Sequence, residues 1–405
     1  MKTRTLSRRG DPAGRSAVRE AVFLSAFLAA AAAAPAQVLQ GTGDPSIDVA
    51  AVQAAVDGHD VVLLEGAFSF ASGAPGPMVT IRRDVRIEGV PDGQGQIPKI
   101  TGGTNPFVIA APGAEVAIEG LHFENSVTTA IWIQAAGDVS IANCVFEGVL
   151  TGLVGTTKVG IEIFETGGPV GAVRIVGNDL KPGGGPTNDA NGIILNARTD
   201  AIEIIGNRVA NTTAHGIDLR NVGGSALVAR NEIVTGRVGR GGGPGQFVDG
   251  IRCIGAGSYV IEHNSVDAGF ENAAGIRLGG TAQAVVHANE VVLSMPDAAV
   301  PGAWSAGIQV QGTASRNEIV QNQVRGRGRA AFSVIHSDFA LDKGSGSGNP
   351  VETSLFGNSE EDFAAAFASV EIGAGALDTD VFGGSGTLSD RGTGTVSHGG
   401  FELLP

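Results

Sequence analysis

Gly192-Ile-Ile-Leu, then Ile202-Glu-Ile-Ile-Gly-Asn207, then Gly216-Ile-Asp-Leu, then Leu227-Val-Ala-Arg-Asn231: over residues 192–231 two short apolar patterns alternate, one opening on Gly-Ile and one closing on Asn. Successive side chains of an extended chain point to opposite faces, so each pattern reads as a strand that buries alternate residues. The pair recurs on both sides. The Asn-ended pattern returns as Val139-Ser-Ile-Ala-Asn143, Val173-Arg-Ile-Val-Gly-Asn178, Tyr259-Val-Ile-Glu-His-Asn264, Val285-Val-His-Ala-Asn289 and Ile319-Val-Gln-Asn322. Gly replaces the Asn in Val85-Arg-Ile-Glu-Gly89 and Val116-Ala-Ile-Glu-Gly120. The Gly-Ile pattern returns at Gly160, Gly250, Gly275 and Gly307, with Ala130-Ile131-Trp132-Ile133 as an earlier variant.

The spacing decides what the repeat builds. From each Gly-Ile to the next Asn the distances are 18, 15, 15, 14, 14 and 15 residues; from each Asn to the next Gly-Ile they are 17, 14, 9, 19, 11 and 18. One half of the repeat keeps its length and insertions emerge at one corner, which is the behaviour of a stacked solenoid. The insertions fall at 150–159, 181–190, 235–248 and 292–305. Each turn holds at least two strands. The Asn column suits a turn in which side-chain amides bond along the stack and the backbone turns left-handed.

Composition agrees. The 405 residues include 63 Gly, with 42% hydrophobic and 17% charged residues. That is too apolar for a disordered chain and too rich in Gly for a helical one. The N-terminus reads as a secretory leader over residues 1–36: a basic stretch with Arg8 and Arg9, a charge-free run over 21–34, and Ala34-Pro35-Ala36 as a small-x-small cleavage site. The leader carries six Lys/Arg and two Asp/Glu, so its removal takes the net charge from −14 to −18. Such a surface argues against nucleic acid and anionic membranes as partners. The mature chain shows no membrane-spanning run. The expected location is extracellular or periplasmic. Cys144 and Cys253, the two cysteines, are 109 residues apart and show no metal-type spacing; Cys253 falls at an inward position, as a buried thiol.

These paired motifs resemble the parallel β-helix repeats of the pectin-lyase-like superfamily. Ile47-Asp-Val-Ala-Ala-Val-Gln-Ala-Ala-Val56 followed by Asp60-Val-Val-Leu-Leu-Glu-Gly66 resembles that superfamily's N-terminal capping helix and first strand, with Ser46 available as a helix cap. The resemblance spans residues 44–400. It implies an all-β chain, a right-handed parallel β-helix with an N-terminal capping helix. The organisation is then a leader over 1–36, the cap helix and first strand over 37–66, repeats over 67–345, and a short helix (360–368) with the last coils over 346–405.

The outward face of the Gly-Ile strands carries the candidate functional residues. One residue after each Ile, the column reads Trp132, Glu162, Ile194, Asp218, Arg252, Arg277, Gln309; two further on it reads Gln134, Phe164, Asn196, Arg220, Ile254, Gly279, Gln311. Neighbouring coils lie about 4.8 Å apart, so column neighbours touch. Asn191, His215 and Asp249 stand at the corner before successive Gly residues. His215, Asp218, Asp249 and Arg252 are therefore the candidate catalytic residues. Trp132, Glu162, Arg220 and Arg277 are candidates for substrate binding, Trp132 by stacking on a sugar ring. Cross-strand ion pairing accounts for the same Asp and Arg residues without a function. His263 and His287 read as solvated polar positions on the other strand.

The superfamily's activities imply a carbohydrate partner. A polysaccharide lyase would use a base and an Arg, with Asp-bound Ca²⁺ as the cofactor to consider; a glycoside hydrolase would use two of Glu162, Asp218 and Asp249. A non-catalytic secreted β-helix binding glycans or a protein through its loops is the alternative. The paired-Asp, Gly-His-Gly and Arg-x-Lys motifs of the superfamily's polygalacturonases are missing, as are the epimerases' Asp-Pro-His-Asp motif and an Asp-rich calcium cluster. The metal, the glycan and the oligomeric state stay open at the level of sequence.

Overall fold

A computed structural model describes residues 36–70, 78–149, 158–164, 166, 168–183, 190–235, 248–269, 273–280, 282–294, 305–335, 350–365, 370–373, 376–390 and 392–403. The leader expected over 1–36 therefore lies outside the described residues but for Ala36, and so does most of each long insertion.

The chain winds as a right-handed parallel β-helix with three strands per coil. The Gly-Ile pattern forms the first sheet, in strands such as Ala190–Asn196, Ile217–Arg220, Ile251–Ile254 and Ala274–Gly279. The apolar run before each Asn forms the second, as Thr199–Ile205, Gly223–Ala229, Gly257–Glu262 and Ala282–His287. A third sheet, which the sequence pattern left unseen, follows the Asn turn as Arg208–Thr212, Glu232–Thr235, Ser265–Ala268 and Glu290–Leu293. The pairings between coils among the described residues are parallel, and along the second sheet they run in step: Ile202 lies on Ala226, Ala226 on Tyr259, Tyr259 on Ala284. Inward residues stack into one apolar core, with Ile193, Ile217, Ile251 and Ile276 buried in line.

The Gly of Gly-Ile is required by space. A Cβ at Gly216 would stand 2.6 Å from the Gly250 carbonyl oxygen and 2.5 Å from Ile233. A Cβ at Gly250 would meet the Gly275 carbonyl oxygen at 2.7 Å and Val266 at 2.1 Å. From Gly160 to Gly307 each coil presses its neighbour at this corner and leaves no room for a Cβ, whereas Ala130 and Ala331 take the position in the coils to either side.

The Asn column is a buried hydrogen-bond ladder. Asn207 N–H and Nδ2 both donate to Asn231 Oδ1, at 2.9 and 3.0 Å, and Nδ2 also reaches the Ile175 carbonyl at 2.9 Å. Asn231 repeats this onto Asn264 and Ile204, Asn264 onto Asn289 and Val228, and Asn289 onto Asn322 and Ile261. Asn178 starts the run and Asn358 ends it. Asn143 is not a member. It occupies the preceding left-handed position, with φ 53°, where Gly177, Gly206 and Gly357 stand in other coils. Cys144 takes the ladder position instead: its N–H donates to Asn178 Oδ1 at 2.9 Å and its thiol points at the Ile118 carbonyl. Burial pushes that thiol up to about 12, and Cys253 rises for the same reason. Both are free thiols.

The capping helix is Pro45–Gly58, and Asp44, not Ser46, is its N-cap: Asp44 Oδ1 accepts from Ser46 N–H at 2.9 Å, with Pro45 opening the helix. Ser46 Oγ donates to the same oxygen and so supports the cap. Val52, Ala55 and Val56 cover the end of the core. Gln53 closes an exposed strand edge. Its Oε1 accepts from Thr80 N–H at 2.8 Å and its Nε2 donates to the Thr80 carbonyl at 3.0 Å, as a further strand would.

At the other end, the short helix expected over 360–368 is replaced by the strand Ser359–Ala365, paired with Gln323–Gly328. The Glu/Ala-rich sequence favours a helix locally, but pairing with the coil beneath overrides that preference. The stack then runs through Leu377–Asp390 and Val396–Leu403.

Asn231→Ala strands the buried N–H groups of Asn207 and the Ile204 carbonyl. At roughly 1–3 kcal/mol for each orphaned group, it should cost at least about 3 kcal/mol in urea unfolding. Asn143→Gly, at the left-handed position, should be neutral or slightly stabilising. Equal losses at both sites would contradict the ladder assignment.

Candidate functional site

The outward column of the first sheet is in register as its spacing implies. Trp132 pairs with Glu162, Glu162 with Ile194, Ile194 with Asp218, Asp218 with Arg252, Arg252 with Arg277, and Arg277 with Gln309. The corner residues form a second chain of contacts between coils. His215 N–H donates to Asn191 Oδ1 at 2.9 Å, Asp249 N–H approaches His215 Nδ1 at 3.2 Å, and Ala274 N–H donates to Asp249 Oδ1 at 3.0 Å.

Where the two columns meet, six of the eight sequence candidates join one network. Asp249 receives Arg277 as a fork, Nε to Oδ2 and Nη2 to Oδ1, both at 2.9 Å. Arg277 Nη1 continues to Gln309 and Gln311. Asp249 Oδ2 also lies 3.5 Å from His215 Nδ1. His215 Nε2 is 2.8 Å from Arg252 Nη1. Arg252 Nε lies 3.7 Å from Asp218 Oδ1, and Arg220 Nε donates to Asp218 Oδ2 at 2.8 Å.

Trp132 and Glu162 stand apart, separated from Asp218 by the Ile194 coil. Both are half-buried. Glu162 Oε2 accepts from Thr129 Oγ1 at 2.7 Å. Trp132 Nε1 is buried with no hydrogen-bond partner among the described residues.

The network is graded in depth. The side chains of Asp218, Asp249 and Arg277 have no exposed surface, those of His215 and Arg252 retain 8% and 7%, and that of Arg220 retains 35%. The cause is regional. Strands Ile251–Ile254, Ala274–Gly279 and Ala306–Gln311 are buried at every residue, whereas Gly257–Glu262 in the second sheet alternates. The first sheet is therefore covered on its outer face over these coils. Solvent reaches the side chains of His215, Arg252 and Arg220, whereas those of Asp218, Asp249 and Arg277 are sealed behind them. The notch expected from the flanking insertions lies mostly outside the described residues.

The electrostatics separate the roles. Burial pulls His215 down, Arg252 adds to it, and Asp218 and Asp249 only partly oppose them, leaving it at about 4. His215 is thus a neutral ring at neutral pH. Arg252 can only donate, so the short contact needs a bare Nε2 and puts the ring proton on Nδ1, facing the Asp249 carboxylate. The Asp249 N–H then faces a second donor; the ring is oversupplied with donors, which also opposes its protonation. Burial pushes Asp218 up, but Arg252, His215 and Arg220 outweigh it and hold the carboxyl at about 2. Asp249 is likewise lowered, Arg277 and His215 overcoming burial. Both carboxylates are ionised.

Gln309 and Gln311 stand in their expected columns, and the spacing gave no sign of the half-buried Arg329–Glu371 fork, with bonds of 2.8 Å, in which Glu371 follows Ser333 up the same column as Gln309. Spacing past Gln309 could have placed Glu371 there only if the third strand of each coil had been seen.

Residues 107–347 match the family model described as the right handed beta helix region. The chain belongs to that family. The solved structures similar to this β-helix protein include the Dettilon tailspike protein, with a TM-score of 0.50 and 12% identity over 91% of this chain and 68% of that one. They also include the A-module of the Azotobacter vinelandii mannuronan C-5 epimerase AlgE4, with 0.47 and 15% over 90% and 96%. A third is the Streptococcus pneumoniae surface adhesin PfbA, with 0.49 and 12% over 91% and 90%. At these identities the likeness is one of fold. No curated protein is detectably similar in sequence. Among the described residues, no helix of this β-helix protein is long and apolar enough to cross a membrane.

An unfolded His215 takes up its proton near pH 6.5, whereas the folded ring waits until about 4. Stability is therefore unaffected above that window and falls as pH drops through it. His215→Asn should remove about 2 kcal/mol of the loss between pH 7 and pH 5, as read by urea unfolding at the two pH values. An unchanged loss would mean that the ring is not held neutral.

Proposed function

We propose that this is an exported β-helix protein acting on an acidic polysaccharide by proton abstraction beside a uronate carboxylate, a lyase-type chemistry. The observation that carries the reading is the neutral His215 ring held between the Asp249 carboxylate and the Arg252 guanidinium. Elimination breaks the C–H bond next to the carboxylate, forms a carbon–carbon double bond and expels the glycosidic oxygen. Arg252 turns from His215 Nε2 to the substrate carboxylate, which bares the base and neutralises the charge that develops on the acid. Nε2 takes the proton, which passes to the departing oxygen. Asp249 holds the ring through Nδ1, and Arg277 holds Asp249. Arg220, at the surface end, gives the substrate carboxylate a second partner.

Glycoside hydrolysis fits less well, because it needs a protonated carboxyl as acid. Asp218 and Asp249 are both held as carboxylates, which leaves Glu162, set apart by the Ile194 coil. A non-catalytic glycan-binding role is favoured by one observation, the covered outer face of the first sheet.

The assay incubates the purified protein with acidic and neutral polysaccharides, with and without Ca²⁺, following unsaturated-uronate absorbance and reducing ends together. Both signals should rise on an acidic substrate. Loss of a positioned base typically costs about 10²–10⁴-fold, and His215→Asn should lose that much. The acid limb of kcat/KM should lie near pH 4, the value of the free site. Reducing ends without absorbance would point to hydrolysis; no cleavage across the panel would leave the binding role.

A further inference from the structure

The turn between the second and third sheets carries a cluster that the network above does not touch. The left-handed position before each ladder Asn is held by Gly in three coils, Gly177, Gly206 and Gly357. In the coil ending at Asn264 it is held by His263, with φ 54°. A side chain in that conformation is strained. The next coil places Ala288 there, a small residue. One position earlier, Glu262 and His287 are register partners on adjacent strands. His263 N–H donates to the His287 carbonyl at 3.2 Å, which fixes the two turns together. The imidazoles of His263 and His287 meet nearly perpendicular, 83° apart, with centroids at 5.5 Å. One ligand atom from each of Glu262, His263 and His287 lies within 4.8 Å of the others. His263 is exposed and the other two are half-buried, so solvent ions reach them. His287 Nε2 also lies 2.9 Å from Gln321 Oε1, an oxygen that orients this ring from the following coil.

We infer that Glu262, His263 and His287 bind a divalent transition-metal ion of the zinc type across two successive coils. Two imidazoles and one carboxylate are the donor set of borderline cations such as Zn²⁺, Co²⁺ and Ni²⁺, and three protein ligands leave coordination positions open to water or to a partner's side chain. Ca²⁺ prefers oxygen-only ligands and is not expected here. The site bridges neighbouring coils, so an ion bound to the folded state alone raises the melting temperature by mass action.

His263→Gly is the informative variant. It removes a ligand while installing the residue found at this position in other coils, so the metal-free fold should be as stable as the parent or more so. The protein, produced without a histidine tag, is titrated with ZnCl₂ by calorimetry and melted with and without the ion. One equivalent should bind the parent and raise its melting temperature. Both His263→Gly and Glu262→Gln should weaken binding by more than about tenfold, the least that loss of even an outer partner of a metal site causes, and His263→Gly should abolish the thermal shift. CaCl₂ should give neither signal. Absence of Zn²⁺ binding to the parent, or binding and thermal shift retained in His263→Gly, would overturn the proposal.

Discussion

The buried Asn ladder is the constraint on which the rest of this structure depends. In a parallel stack nothing but side-chain fit and backbone pairing sets how one coil sits on the next. A slip of a single residue would turn every inward Ile or Val of a strand to the outside. From Asn207 to Asn322 each ladder amide is shared between coils: its oxygen takes two donors and its nitrogen gives at least two bonds, all to groups of the protein itself. Leaving any of these groups unpaired is costly, so only one register satisfies them all. The close approach of coils at the Gly of Gly-Ile enforces the same register at another corner of the coil.

With register fixed, columns of side chains become structural objects, and the first sheet's outer column uses this. Coils that elsewhere place Ile194 at that position place Asp218, Arg252 and Arg277 there instead. Charge buried so fully rarely adds stability over well-packed apolar residues. It does add definition: Arg277 locks Asp249, Asp249 and Arg252 bracket His215, and Asp218 holds Arg220 and Arg252 at the surface side. The outcome is one neutral base and two carboxylates that stay ionised, a division that suits proton abstraction better than acid-assisted hydrolysis.

Much of this was legible in the sequence, because a solenoid converts linear spacing into spatial neighbours. The column from Trp132 to Gln309 and the approach of His215 to Asp249 follow from counting residues. Counting failed where the pattern carried no signature. The third strand of each coil is short and has no fixed motif. Asn143 looked like a ladder member because it ends the same apolar run, yet it stands one place early and Cys144 fills the rung. The Glu/Ala-rich segment at 360–368 obeyed its neighbours rather than its own helix preference. Depth was the largest gap: spacing shows that Arg277 faces outward, but not that the outer face is covered there and the guanidinium sealed. His263 and His287 read as ordinary surface residues. The signal that joins them is that Glu262 and His287 are separated by the same 25 residues as Asn264 and Asn289.

The most direct test of the central claim is a crystal structure of the His215→Asn variant with an acidic oligosaccharide bound. The account requires a uronate carboxylate within hydrogen-bonding distance of the Arg252 and Arg220 guanidinium groups, the ring carbon beside it facing residue 215, and the Asp249–Arg277 fork undisturbed. An oligosaccharide bound elsewhere on the solenoid, with Arg252 still turned toward residue 215, would contradict it.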